Sequence, residues 1–163
     1  TIVLAIFLGI MLRSDNSSSQ ESRDIYQFLE SSMQYTTECA VSYEPAYLSL
    51  SELISECQEG ISICTSGKKP CDVAVSTLTE LIDSSFLISE ESQIKAYQFK
   101  SVYSTSSVEE EIISLSKGDC QNKIIGSEIL ISSFPGTISN SLKLCFWACA
   151  NWFRGLLIVN FFF

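Results

Sequence analysis

The sequence predicts an α+β domain: about three helices, then an antiparallel sheet of about four strands. Two observations carry that class. Apolar residues recur at helical spacing between Asp24 and Phe86, and after Ser89 they alternate within short runs bounded by Gly, Pro and Asp. A third observation adds to it: seven cysteines in 163 residues predict a domain stapled by disulfides. The chain divides into an apolar anchor over 1–12, a polar stalk over 13–23, the α+β domain over 24–145 and an apolar tail over 146–163.

Residues 1–12, TIVLAIFLGIML, are apolar apart from Thr1 and Gly9. A helix needs about 20 such residues to cross a bilayer, so this run reads as the outer part of a signal anchor or transmembrane helix, its first residue being Thr rather than Met. A signal-peptide remnant and a buried core helix are the other readings. The stretch RSDNSSSQESR that follows is polar and Ser-rich, as a chain leaving a membrane would be. Within it, Asn16-Ser17-Ser18 is a glycosylation sequon, usable if the stretch faces outward.

From Asp24 to about Tyr35, the residues Ile25, Phe28, Leu29, Ser32 and Met33 share one face of a first helix. Residues 40–47, with Pro45, read as a loop. Ser49 and Glu52 have capping-box spacing, Leu53, Ile54 and Cys57 follow at helical intervals, and Gly60 ends this second helix. A turn lies between Cys64 and Cys71, and Val75, Leu78, Leu81, Ile82 and Phe86 mark a third helix over 72–86. Strands are expected over 93–103, 111–117, 124–131 and 137–145, with turns at Gly118-Asp119 and at Phe134-Pro135-Gly136. The expected arrangement is a meander with helices on one face. Residues 146–163 are apolar enough for a second membrane contact, and Trp147 and Trp152 suit an interface. A central Arg154 opposes full insertion by about 2.5–3.5 kcal/mol.

Composition removes several functions. The net charge is −9, and phosphate backbones are held by Lys and Arg, so no nucleic-acid partner is expected. There is no histidine, hence no Ser-His or Cys-His pair and none of the commonest metal ligand. No C-x-x-C pair, G-x-S-x-G elbow or Gly-rich phosphate loop is present. No catalytic, cofactor or metal site is therefore assigned. Cys39, Cys57, Cys64, Cys71, Cys120 and Cys145 are the disulfide candidates, with Cys149 left over in the tail. Local spacing suggests Cys64 with Cys71 across their turn. Glu109-Glu110-Glu111 reads as a solvated loop face rather than a cation site, and Glu52 with Glu56 as an exposed helix face. Lys68-Lys69 next to Cys71 would favour a thiolate, although a bridged cysteine is the simpler reading. Tyr97, Phe99 and Tyr103 share a strand face and lack surrounding positive charge, so they are expected to face the core or a partner.

The segments Tyr35–Ala40, Tyr43–Leu48, Leu53–Cys57, Ser133–Ile138 and Leu142–Cys145, by their cysteine and Pro/Gly placement, resemble uncharacterised archaeal membrane-anchored, cysteine-rich proteins discussed as pilin-like. The resemblance covers residues 24–145 and implies an N-terminal anchor with an outer cysteine-rich domain. It implies no activity, and the chain departs from it after Cys145. The expectation is a non-enzymatic, membrane-anchored extracytoplasmic domain for surface interaction or envelope architecture, with a protein partner or self-assembly. A filament subunit and a thiol oxidoreductase are the rival readings.

Overall fold

The computed structural model describes residues 16–89, 91–120 and 123–146. The predicted anchor over 1–12, Cys149 and nearly all of the tail lie outside them. Three helices come first: α1 (Asn16–Met33), α2 (Leu50–Glu59) and α3 (Pro70–Ser85). Four antiparallel strands follow: β1 (Ile94–Ser104), β2 (Glu109–Lys117), β3 (Lys123–Ser133) and β4 (Gly136–Phe146). The class is α+β, as the patterning predicts. Among the described residues no helix is long and apolar enough to cross a membrane.

The first helix starts eight residues before the predicted Asp24, at the sequon residue Asn16, and so takes in much of the stretch read as a stalk. Apolar spacing cannot reveal this turn because its contacts are polar. Ser22 donates its hydroxyl to the Gly126 carbonyl at 3.0 Å, and Glu21 pairs with Lys123 at 3.0 Å. Ile25, Leu29 and Met33 are buried one turn apart below, and Phe28 meets Phe86 edge to face with centroids 4.9 Å apart. The second helix follows its prediction closely. Ser49 and Glu52 form the reciprocal capping box, and Gly60 closes the helix in the left-handed region at φ 69°. Helix α3 opens on Pro70, whose missing N–H costs nothing in a first turn.

The sheet order is β2-β1-β4-β3, which corrects the expected meander. Two local hairpins are joined through the long-range pair β1 and β4, which occupy the centre. Their register sets Tyr97 opposite Leu144, Phe99 opposite Leu142, Ser101 opposite Asn140 and Tyr103 opposite Ile138. All eight side chains are buried and face the helices. The aromatic trio is thus part of the core. On the solvent face, Gln98, Lys100 and Val102 lie beside Lys143, Ser141 and Ser139. Glu109–Glu111, read as a solvated loop face, are the first residues of the edge strand β2 and are exposed there.

Gly118 ends β2 at φ 76°, and a Cβ there would lie 2.4 Å from the Lys95 carbonyl oxygen. The two hairpin loops, 105–108 and 134–135, share one end of the sheet. At the other end, Lys123 faces Phe146 across the β3–β4 pair, with its ammonium 5.9 Å from that ring's centroid.

Candidate functional site

The disulfides set the local geometry of the helical half. Cys39 bonds Cys64, with Cα atoms 5.1 Å apart, and Cys57 bonds Cys71 at 4.7 Å. This corrects the Cys64–Cys71 pairing suggested by their turn. The reason is a backbone contact: Thr65 N–H donates to the Ala40 carbonyl at 2.7 Å, laying Cys64 alongside Cys39. Cys71, on the first turn of α3, meets Cys57 near the end of α2 instead. The third bridge joins Cys120 to Cys145, and all six predicted cysteines are paired.

Between the segment after α1 and helix α3 lies a groove of about 420 Å³, within the range of small-ligand sites. Its floor is the segment after α1, held by short backbone bonds. Thr37 N–H donates to the Leu48 carbonyl at 2.9 Å, Leu48 N–H to Cys39 at 2.8 Å, and Leu50 N–H to Tyr35 at 2.9 Å. The hydroxyl of Thr37 also donates to the Leu48 carbonyl at 2.8 Å. Tyr35 and Tyr47, about half exposed, line the groove with Glu38 and Glu44 on this side; Ser76, Thr77 and Glu80 of α3 form the other wall. Glu38 is paired with Lys68, and Glu44 accepts the Thr65 hydroxyl at 3.1 Å. The groove thus gathers two tyrosines and three carboxylates, one of which is already paired with Lys68. The sequence pattern does not reveal it, because the first helix is expected to end near Tyr35 and residues 40–47 read as a loop. The density of Tyr and Glu in YTTECAVSYEPAY was the available signal.

A second hollow of about 390 Å³ lies on the outer sheet face, lined by Ile124, Gly126, Ser127, Glu128, Ser141 and Lys143. The Ser139 hydroxyl donates to Glu128 close by.

The remaining charged candidates are accounted for by local contacts. The backbone N–H and the hydroxyl of Ser49 hold the Glu52 carboxyl below its usual range. A hydrogen bond from Lys100 at 3.0 Å, with its charge, does the same for Glu111. Glu56 accepts the Ser62 hydroxyl. Burial, and then the Asp83 charge, push the Tyr97 phenol up; Asp83 itself pairs with Lys117 at 2.9 Å. Among the described residues, no group of three or more Cys, Asp or Glu side chains could hold a metal ion. No family model, curated protein or solved structure matches the chain.

Proposed function

We propose that this protein is a non-enzymatic extracytoplasmic domain, held at a membrane by residues 1–12, that works by surface contact with a partner. The observation that carries the reading is the closure of six cysteines into three bridges. Such bridges persist where glutathione and thioredoxin do not reduce them, outside the cytoplasm. The groove between Tyr35 and Glu80 is the contact site in this reading. Its lining suits an ammonium or guanidinium group of a basic partner.

Alkylation of the full chain, read by intact mass, tests the compartment. Chain recovered from its native membrane should take up label at Cys149 alone until reductant is added, and at six further sites afterwards. Seven reactive thiols before reduction would refute the reading. For the groove, replacing Glu44 and Glu80 by Gln should weaken binding of a synthetic arginine-rich peptide and leave the unfolding midpoint unchanged.

A filament subunit is the second reading, and α1 favours it. This helix opens at Asn16, four residues along the sequence from the apolar run, the closeness that a long assembly helix with an apolar end would need. Electron micrographs of the expressing cells distinguish the two readings: filaments support the second, and a dispersed membrane protein supports the first.

A further inference from the structure

We propose that the outer edge of β3 pairs with the same edge of a second copy of this chain, antiparallel about Leu130, so that two sheets run together as one. The surface lies away from the groove, and the inference is independent of where the protein resides. β3 pairs with β4 alone, so its other side is an edge of the sheet. The two-residue loop after β3 makes Ser133 and Gly136 the closing pair, with their backbone groups facing each other. Alternation then turns the N–H and carbonyl groups of Glu128, Leu130 and Ser132 outward. Gly126 obeys the same rule, and its carbonyl takes the Ser22 hydroxyl from α1 at 3.0 Å. Beyond Gly126, these outward groups meet no hydrogen-bond partner among the described residues.

An open edge is a template for another strand, and proteins that stay apart blunt theirs with charge, proline or a bulge. The opposite edge of this sheet follows that rule: β2 carries Glu109–Glu111 and a register shift against Ser101/Val102. On β3, the segment Ser127–Ser133, SEILISS, holds one charge, no proline and an unbroken register. Leu130 projects from it, 65 % exposed.

What selects a second copy is that this segment complements itself. Antiparallel pairing centred on Leu130 sets Leu130 against Leu130, Glu128 against Ser132 and Ile129 against Ile131. No like charges meet. Each Glu128 carboxylate faces a hydroxyl that donates to it, as the Ser139 hydroxyl of β4 already does. The half-buried Ile129 and Ile131 carry the apolar inner side of the sheet across the junction. The three outward residues of each copy close about six backbone hydrogen bonds, two for each facing pair.

Ser132→Glu tests the register, because it sets a carboxylate against Glu128 twice in the pair and alters only an exposed side chain. The full chain would be sedimented in density-matched detergent, and the exchange of its amide hydrogens followed residue by residue. The expected result is a dimer with slowed exchange at Glu128, Leu130 and Ser132. Ser132→Glu should raise its dissociation constant about tenfold, and adding Glu128→Lys, which makes both pairs opposite in charge, should restore it. A monomer, or a dimer whose three amides exchange freely, would overturn the inference. So would an association that Ser132→Glu leaves unchanged, or that the double substitution fails to recover. Protection of these amides by a strand of another protein, bound one to one, would overturn the self-pairing and give the edge to that partner.

Discussion

At Ser49, two residues determine where a helix begins, and the same contact makes a small part of the stability depend on pH. The Glu52 carboxyl, held below its usual range by Ser49, is stabilised in the folded state relative to the unfolded chain. Its contribution is therefore complete above the unfolded carboxylate value and is lost as pH falls through the lowered folded value. Because Glu52 is largely exposed, the effect stays below about 1 kcal/mol. Glu52→Gln should lower the unfolding midpoint at neutral pH, and the gap to the unaltered chain should close in acid; denaturant titrations at several pH values measure it. Deeper in the fold, Ser101 and Asn140 face each other across β1 and β4, fully buried. Among the described residues the Ser101 hydroxyl and both polar atoms of the Asn140 amide reach no hydrogen-bond partner. Unsatisfied buried groups cost about 1–3 kcal/mol, whereas an apolar pair of similar shape removes that cost. Ser101→Ala with Asn140→Leu is thus expected to raise the denaturant midpoint, and an unchanged midpoint would show the pair to be satisfied in solution. The capping box could be read from sequence because it depends on a spacing of three residues. The disulfide pairing could not, because it depends on the Thr65–Ala40 contact between segments 25 residues apart.

At the scale of elements, alternation located all four strands, since a half-buried strand must place apolar residues on one face. Their ends moved by at most two residues, and Glu109 and Glu110 joined β2 because an edge strand leaves one side open to solvent, where three carboxylates are tolerated and discourage pairing with another chain. The start of α1 was hidden for the opposite reason: its first turns dock through Glu21 and Ser22 rather than through an apolar stripe. Gly118 shows how tightly β2 is bounded. Any side chain there meets the Lys95 carbonyl and must also accept φ 76°. Gly118→Ala is expected to destabilise the domain by about 1–3 kcal/mol, since both strain and displacement act at once. Gly67 has a similar φ of 81° and open space around it, so Gly67→Ala should cost less. Equal losses in thermal unfolding would show that the close approach at Gly118 is unimportant.

For the molecule as a whole, composition conveyed a disulfide-stapled α+β domain without showing how its halves meet. Both hairpins are local; the turn at Phe134-Pro135-Gly136 announces β3–β4, whereas the expected turn at Gly118-Asp119 leads from one hairpin to the other. The β1–β4 pairing that joins them spans more than thirty residues and leaves no mark in either strand's pattern. The groove is likewise a product of assembly, because its walls come from the segment after α1 and from α3. The overlap of two bridges has a further consequence. The loops closed by Cys39–Cys64 and Cys57–Cys71 interlock, so every peptide bond from Cys39 to Cys71 lies inside at least one of them. That span also carries Tyr43, Ile61 and Ile63, exposed apolar side chains of the kind that chymotrypsin-like and elastase-like proteases seek. One cut there should add the mass of a single water to the intact chain and separate no fragments until reductant is added. A domain built this way can be nicked and still hold its shape.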